Sequence, residues 1–456
     1  MTPTWKKAKM GQITQVVKRS GAVVPFNPER ITNAIYRAAV EVGGRDRATA
    51  ETLTAQVVAM LEQNNTDGHA PHIEEIQDVV EKVLIENGHA RVAKAYILYR
   101  DERARHRKQQ EAQTSRPSEN IPWAKIWHVL DWSVAHGVQS IDALNQRLDA
   151  GEFTQIVTES EAAYAGDVEE AVNGILARRD KLKIIIITGP SSSGKTTTTI
   201  KVGEHLKKIG IKLTTLTVDN YFFNLEMHPK DEFGDYDFET PHALELPLIN
   251  QHLAELIAGK EVMVPFYDFK SGKHLPEKSA PMKLAENEWI LIDSLHGLFP
   301  AMTQDVPDEQ KFKLYLEPLL QIKGDDGEYV RWTDIRLIRR MLRDAAHRAY
   351  DPRQTLEHWH YVRASEMRNI LPMINSTDAI VNSGMPFELP IYAQRMLASF
   401  KQWSAEYKGN ALRADAFERA ERVARMLQSV HPVGDENMIP SDSVIREFIG
   451  GSTLKY

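Results

Sequence analysis

The sequence predicts an α/β fold, in which a parallel sheet covered by helices follows a small, mainly helical domain and a helical linker layer. Three observations predict it. The 456 residues exceed one ordinary domain. The first hundred residues repeat apolar side chains at helical spacing, and after residue 183 short apolar runs alternate with helical segments. The expected segments are residues 1–110, 111–181, 182–400 and a C-terminal helical extension, 401–456.

The composition indicates a globular chain and excludes several classes of function. Hydrophobic residues make up 42% and charged residues 26%, and the net charge of −7 gives no overall basic surface, so we expect no nucleic-acid partner. The absence of cysteine excludes disulfides, thiolate metal sites and cysteine nucleophiles. No apolar stretch approaches the roughly 20 residues that span a bilayer, so we expect no membrane partner and a cytoplasmic location.

The first domain has the pattern of a hairpin followed by four helices. The stretch VVKRSGAVVPF predicts two short strands that turn at Ser20 and Gly21, and a fourth helix runs through RVAKAYILYRDERARHRK. The polar stretch QQEAQTSRPSEN then indicates a linker near residue 110. The apolar faces of the first three helices are Ile31, Ala34, Ile35 and Ala38; Leu53, Val57 and Leu61; and Ile73, Ile76, Val80, Val83 and Leu84.

Residues 121–181 are expected to form a connecting layer of helices with two apolar stripes. We interpret the tryptophans of the first stripe as core or interface packing, since that is the ordinary use of a large aromatic side chain. The stripes are Trp123, Ile126, Trp127 and Leu130, then Val168, Val172, Ile175 and Leu176.

The remaining chain predicts a buried parallel sheet. Apolar runs separated by helical segments are typical of strands covered by helices on both faces. The predicted strands are KIIIIT, KLTTLTV, WILIDSL, KFKLYL and DAIVNS, which begin at residues 183, 212, 289, 311 and 378.

A phosphate-binding loop follows the first predicted strand. The segment GPSSSGKT matches G-x-x-x-x-G-K-[ST] and precedes a predicted helix, which is the context the motif requires, whereas a chance Gly/Ser-rich turn is the alternative. Backbone N–H groups and the helix N-terminus hold the phosphates of ATP, Lys195 reaches the β and γ phosphates, and the Thr196 hydroxyl ligates Mg²⁺. The expected ATP-binding residues are Gly189, Ser191, Ser192, Ser193, Gly194, Lys195, Thr196 and Thr197.

Two aspartates end predicted strands. Asp293 in ILIDSLHG is a second candidate ligand of Mg²⁺. Asp219 in LTVDNYFF lies where open α/β sheets bind ligands and is a candidate base for an acceptor hydroxyl. The alternative for Asp219 is a cap of a helix or turn.

Residues 183 to 395 resemble the uridine kinase and phosphoribulokinase family of phosphate-loop kinases. The resemblance lies in GPSSSGKTT, VDNYF, YDFET, VPFYDFKSGK and DIRLIRRMLRDAAHR. It implies that Asp219 is the general base, that acceptor contacts come from Tyr221, Tyr236, His242, Tyr267 and Lys273, and that a lid carries Arg340, Arg343 and Arg348. A helix rich in arginine has the alternative of a solvated face with salt bridges.

Three positions depart from that family. His242 replaces the aspartate that grips ribose hydroxyls, Gly272 replaces the histidine that reads the pyrimidine edge, and Tyr350 replaces an arginine near the lid. Because a buried polar group discriminates strongly between substrates, losing two such readers argues against simple uridine specificity.

Residues 14 to 105 resemble the ATP-cone, an allosteric nucleotide-binding module known from ribonucleotide reductases. VVKRSGAVVPFNPERITNAI, IQDVVEKVL and VAKAYILYRDER carry the resemblance. A helical dimerisation module that does not bind nucleotide is the alternative. The resemblance implies that ATP or dATP is held by Val17, Lys18, Arg19, Arg30, Arg91 and Lys94.

The sequence therefore predicts an ATP-dependent kinase for a small-molecule acceptor, a nucleoside or related polyol, regulated by its first domain and acting as a homo-oligomer. A nucleotide-sensing regulator with a degenerate kinase site is the rival, and the presence of both Asp219 and Lys195 counts against it. A GTPase switch needs an Asn/Thr-Lys-x-Asp segment, which the sequence lacks.

Overall fold

The chain folds as two compact units. The computed structural model describes residues 13–17, 23–42, 44, 46–64, 70–97, 120–229, 240–348, 351–410 and 413–455. The described residues up to 97 belong to the first unit, and residues 120–229, 240–407 and 415–455 belong to the second. The fold of each unit is given separately below.

The first unit is a hairpin with helices, as predicted. Strands β1 (Gln15–Val17) and β2 (Val23–Pro25) pair antiparallel, whereas the predicted turn at Ser20 and Gly21 lies outside the described residues. Its core contains Ile31, Ile35 and Ala38, Leu53, Val57 and Leu61, and Ile76, Val80, Val83 and Leu84. The helices are α1 (Pro28–Glu41), α2 (Arg47–Asn64), α3 (Ile73–Glu86) and residues 90–97, called α4.

The second unit is built on a parallel sheet of five strands. The strand order is β11-β10-β3-β9-β4, and every neighbouring pair is parallel. All five runs predicted as strands are therefore confirmed. The strands are β3 (Ile184–Thr188), β4 (Lys212–Thr215), β9 (Glu288–Asp293), β10 (Lys311–Glu317) and β11 (Ala379–Asn382).

Helices cover both faces of this sheet. Alternate residues of β3 enter different cores: Ile185 and Ile187 lie in one cluster, and Ile184 and Ile186 lie in another. This alternation follows from the two-residue repeat of a strand, and burial on both faces explains the unbroken isoleucine run.

The helices that surround the sheet come from both sides of it in the chain. Three precede β3: α5 (Trp123–Ala135), α6 (Ile141–Asp149) and α7 (Phe153–Leu176). The others are α8 (Lys195–Lys208), α9 (Leu246–Ile257), α10 (Trp332–Arg348), α11 (Pro352–Asn369), α12 (Glu388–Tyr407), α13 (Ala414–Ser429) and the short α14 (Arg446–Ile449). No helix in the described part of the chain is long and apolar enough to cross a membrane.

The first apolar stripe does not face the core. Trp123 is 56% exposed and Trp127 is 68% exposed, whereas Val129 and Ser133 are the buried residues of α5. Core packing of the two tryptophans is therefore wrong, and interface packing remains a prediction. The second stripe does enter the core through Val168, Val172 and Ile175.

Two small antiparallel ribbons lie outside the main sheet. One pairs β5 (Val262–Val264) with β8 (Ala280–Met282), and the other pairs β6 (Tyr267–Asp268) with β7 (Lys273–His274). The second ribbon contains two residues of the predicted acceptor pocket.

Candidate active site

The loop between β3 and α8 has the geometry of a phosphate-binding turn. Ser192 and Gly194 adopt positive φ angles of 59° and 91°, which turn the backbone sharply before the helix. A Cβ at Gly189 would lie 2.1 Å from the carbonyl oxygen of Leu316, so only glycine permits this close approach. The 14-residue helix α8 then points its N-terminal N–H groups toward the loop.

Two buried arginines of α10 brace this loop. Arg336 Nη1 donates to the Ser191 carbonyl at 3.1 Å, and Arg339 Nη1 donates to the Ser193 carbonyl at 3.4 Å. Each guanidinium also forms a bidentate pair, Arg336 with Glu366 and Arg339 with Glu388. The loop is thus fixed through its backbone from the side of α10.

Lys195 lies at the start of α8 and folds back over the loop. Its Nζ donates to the carbonyl oxygens of Gly189 at 3.0 Å and Pro190 at 3.2 Å. Burial lowers the pKa of Lys195, while the charges of Asp293 and Glu447 oppose that shift. The ammonium group is therefore partly desolvated and lies within the field of two carboxylates.

The two predicted aspartates meet at the same edge of the sheet. Asp293 ends β9 and pairs in register with Ile187 of β3, and Asp219 lies in the turn after β4. Burial raises the pKa of each carboxyl, and Lys195 opposes both shifts. The structure thus brings Asp219, Asp293 and Lys195 into one electrostatic cluster, as the positions of the strand ends indicated.

His296 is a site residue that the sequence analysis missed. It is 5% exposed, and its Nδ1 has no hydrogen-bond partner among the described residues. Burial and the charges of Lys195 and His242 lower its pKa to about 4, so its imidazole is neutral at neutral pH. The stretch ILIDSLHG was already on the page, but nothing in one sequence separates this histidine from an ordinary loop residue.

An aromatic and histidine cluster follows Asp219. The ring of Phe222 lies 5.5 Å from His228, 5.7 Å from Tyr267 and 5.8 Å from Phe269 between centroids. Tyr267 also faces His274 at 5.8 Å. Such a cluster can pack against a flat ring or the apolar side of a sugar.

The predicted acceptor contacts occupy different surroundings. Tyr267 is buried in the aromatic cluster, Lys273 is exposed, and His242 is exposed with its ring 5.3 Å from that of Phe299. Tyr221 is fully buried, and its hydroxyl pairs with His252 Nδ1 at 2.9 Å, which places it in the core beneath the site. Tyr236 lies outside the described residues.

Gly272 has a structural reason to be glycine. Its φ is +67°, and a Cβ there would lie 2.9 Å from the Cβ of Leu225. The Gly272 carbonyl also accepts a hydrogen bond from Leu225 N at 2.8 Å. A histidine therefore does not fit at this position without a shift of the turn, and the departure noted in the sequence is built into the backbone.

The predicted lid arginines lie on the outer side of α10. Arg340 and Arg343 are 23% and 20% exposed in their side chains, and both contact Asp344. Arg340 Nη1 also lies 3.4 Å from the Ser191 hydroxyl, so it reaches the loop. The side chain of Arg348 lies outside the described part of the chain.

Glu447 is a second residue that the sequence did not indicate. It belongs to α14, and its Oε2 accepts hydrogen bonds from Thr197 N at 3.2 Å and Thr197 Oγ1 at 2.9 Å. Because 250 residues separate the two partners and no motif surrounds Glu447, only the fold identifies it.

The donor set of the loop fits nucleotide phosphates and Mg²⁺. The hydroxyls of Ser192 and Ser193 are buried and have no hydrogen-bond partner among the described residues. Thr196 supplies a half-buried hydroxyl and Asp293 a carboxylate, which are ligands that Mg²⁺ accepts. Within the described ranges no group of three or more histidine, aspartate or glutamate side chains forms a metal site by itself. This suits an ion held partly by substrate phosphates.

The predicted nucleotide contacts of the first unit are only partly described. Val17 ends β1, and Arg30 lies in the first turn of α1. Arg91 and Lys94 are exposed on α4. Lys18 and Arg19 lie outside the described residues.

Two family models match the chain, one in each unit. Residues 14–105 match the ATP cone domain. Residues 184–388 match the Phosphoribulokinase / Uridine kinase family. Both matches confirm the resemblances predicted from the sequence.

Similar proteins fall into the same two groups. Over 104 residues the chain is 45% identical to a vitamin B12-dependent ribonucleoside-diphosphate reductase of Thermoplasma acidophilum, which covers 22% of this chain but only 13% of the reductase. Over 202 residues it is 26% identical to a uridine kinase of Deinococcus deserti, which covers 44% of this chain and 87% of that kinase. A solved D-glycerate 3-kinase of Cryptococcus neoformans aligns at 14% identity and a TM-score of 0.25, covering 57% of this chain and 86% of that chain.

Proposed function

We propose that the chain, whose residues 184–388 belong to the Phosphoribulokinase / Uridine kinase family, is an ATP-dependent kinase that phosphorylates a hydroxyl of a nucleoside or related polyol. The observation that carries the proposal is the grouping of Lys195, Asp219 and Asp293 at the carboxyl edge of the sheet, beside the phosphate loop. Phosphoryl transfer depends mostly on positioning and charge stabilisation, and this cluster provides both.

Each residue has a defined task in the proposed reaction. Asp219 accepts the proton of the acceptor hydroxyl as its oxygen bonds to the γ phosphorus, and the bond to the bridging oxygen of ADP breaks. Lys195 stabilises the charge on the transferring phosphoryl group. Thr196 and Asp293 hold Mg²⁺, which neutralises phosphate charge when it is bound.

Arginines and the aromatic cluster complete the proposed site. Arg340 and Arg343, with Arg348, act as the lid that excludes water and balances charge on the equatorial oxygens. The cluster of Phe222, His228, Tyr267, Phe269 and His274 packs against the acceptor ring, with Lys273 and His242 at its rim.

A panel of acceptors tests this function. The purified protein is incubated with labelled ATP, Mg²⁺ and nucleosides, sugars and polyols. We expect transfer to at least one hydroxyl compound, and uridine is expected to be a poor or non-exclusive acceptor because Gly272 and His242 replace two of its readers. The measurement is kcat/KM for each acceptor in competition.

The matched control is Lys195→Ala, which removes one charge and little packing and is expected to abolish transfer. Transfer that persists in this variant would place the activity elsewhere. A uridine preference above about 10³ in kcat/KM would refute the inference from Gly272 and His242. Absence of transfer to every acceptor would favour a nucleotide-sensing regulator.

The first unit is proposed to regulate the kinase as an allosteric sensor of ATP or dATP. A second nucleotide module adds nothing to catalysis at the first site, so it more plausibly reports nucleotide concentration through two states of different affinity. Assembly of identical chains in the cytoplasm is proposed to create those states. The exposed Trp123 and Trp127 offer apolar surface that a second copy can cover.

Deleting residues 1–110 is expected to leave an active kinase whose activity and size no longer respond to effector. The described parts of the two units have separate hydrophobic cores, so the second unit does not depend on the first for its core. Turnover and light scattering across an ATP and dATP titration compare the truncated and full-length proteins.

The full-length protein is the control, and its size and activity are expected to change with effector. If both proteins keep one size and follow one simple saturation curve, the first unit has no regulatory role.

A further inference from the structure

The C-terminal segment, residues 440–450, packs directly on the phosphate loop. Val444 is fully buried, and its Cγ2 lies 2.4 Å from the position that a Cβ would take on Gly194. Gly194 is the N-cap of α8, so this segment lies against the helix end that a phosphate loop uses to bind anions.

Glu447 uses the donors of that helix end. Thr197 is the third residue of α8, and its N–H has no partner within the helix because it belongs to the first turn. Glu447 accepts from this N–H at 3.2 Å and from the Thr197 hydroxyl at 2.9 Å. The carboxylate therefore takes the place of an anion on the helix N-terminus.

These donors are not accessible while the segment is seated. Thr197 is fully buried, and Glu447 is only 6% exposed. A nucleotide phosphate that needs the loop N–H groups would meet both a covered donor and a like charge. The seated segment and a fully engaged triphosphate thus exclude each other.

Several contacts hold the segment in place without involving the loop. Phe448 lies over the Arg339 guanidinium at 4.9 Å, and Arg446 Nη2 donates to the Glu436 carbonyl at 2.7 Å. Asp442 pairs with Lys201 at 3.2 Å. The contacts form a defined closed state, in which the carboxylate is delivered by a packed helix.

We infer that Glu447 is a built-in competitor of nucleotide: the C-terminal segment closes the phosphate loop with its own carboxylate and is displaced from Thr197 when ATP binds. The inference rests on the proposed function, since it requires that the loop bind ATP. Its consequence is that the measured affinity for ATP is reduced by the population of the closed state.

Glu447→Gln is expected to lower the Kd for ATP about 10-fold, within the usual range of coupling between two states. Glutamine keeps the shape and an accepting oxygen, so the variant removes charge without removing packing. Calorimetry with Mg²⁺ and a non-hydrolysable ATP analogue measures the Kd, and thermal unfolding verifies the fold. Asp442→Asn, which removes a carboxylate of the same segment that pairs with Lys201, is the matched control and is expected to leave the Kd unchanged.

A second readout is hydrogen exchange of the full chain. Exchange of residues 443–450 is expected to rise when the ATP analogue binds, because the segment leaves the loop. Slower exchange on binding would show that the segment closes over the nucleotide, and would overturn the inference.

The affinity results separate this inference from the proposed function. Equal or weaker binding by Glu447→Gln, with wild-type binding intact, overturns the competitor role and leaves the kinase proposal standing. Binding of the analogue by neither protein overturns both. Tighter binding by both Glu447→Gln and Asp442→Asn would assign the effect to general loosening of the segment and also overturn the role of Glu447.

Discussion

Asp219→Asn is expected to retain ATP binding and to lose phosphoryl transfer by about 10²-fold or more in kcat, the usual scale for a positioned general base. Asparagine has nearly the same shape but does not accept the proton of the acceptor hydroxyl. Asp219 lies in the turn after β4, outside the phosphate loop, so ATP binding should change little. Steady-state turnover and a separate measurement of ATP affinity distinguish the two effects.

The pH profile of kcat provides an independent readout of the same role. Burial raises the pKa of Asp219, and Lys195 only partly opposes that shift. A base acts when it is ionised, so kcat should fall as pH is lowered through this raised pKa, at a higher pH than for an exposed aspartate. The residual activity of Asp219→Asn should lack that acid limb.

A matched control is Asp180→Asn, which makes the same change at a side chain that is 97% exposed and contacts Arg179. Its kcat and its pH profile are expected to equal those of the wild type. Unchanged turnover in Asp219→Asn would remove Asp219 from the mechanism and strengthen the alternative of a nucleotide-sensing regulator.

The sheet and the phosphate loop were predictable because each depends on local pattern. The isoleucine run of β3 and the glycines of the loop are contiguous in the sequence, and their spacing alone indicates a buried strand followed by an anion-binding turn. Asp219 and Asp293 were found for a related reason, since strands of one parallel sheet end at the same edge.

The roles of the α10 arginines were not predictable in the same way. The run RLIRRMLR reads as an exposed or lid-forming helix, because arginine is rarely buried without a partner. The structure instead buries Arg336 and Arg339 completely, beside Glu366 and Glu388. Those partners follow 30 and 49 residues later, and nothing in the intervening sequence pairs them.

The exposed tryptophans have the opposite cause. Helical spacing places Trp123 and Trp127 on one stripe, but spacing does not say whether the stripe faces this chain or something else. In α5 the buried side is carried by Val129 and Ser133. A smaller apolar residue and a serine gave a weaker sequence signal than two tryptophans.

Arg339→Met is expected to lower the free energy of unfolding by about 3–5 kcal/mol, the usual cost of leaving a buried charge without its partner. Arg339 and Glu388 have no exposed side-chain surface, and their two hydrogen bonds measure 2.7 and 2.6 Å. Although burial opposes the charge, pairing with Glu388 raises the pKa of Arg339 above its ordinary value, so both groups are ionised at neutral pH. Urea unfolding of the purified variant gives the measurement.

The exposed Arg425 provides the control for this loss of stability. It lies 4.0 Å from Glu421 at a helix surface, and Arg425→Met is expected to cost less than about 0.5 kcal/mol. The double variant Arg339→Met, Glu388→Met should lose less than the sum of the single losses, because neither charge is then left alone. Additive losses in the double variant, or a loss below about 1 kcal/mol in Arg339→Met, would contradict the ion pair as a stabilising brace.

The same variant should also weaken the site, since Arg339 connects the pair to the phosphate loop. Its guanidinium donates to the carbonyl oxygens of Ser383 at 2.6 Å and Ser193 at 3.4 Å, and methionine can donate to neither. Below the unfolding transition, ATP affinity should therefore fall in Arg339→Met while Arg425→Met binds like the wild type. If Arg339→Met binds ATP as tightly as the wild type, the pair stabilises the fold without positioning the loop.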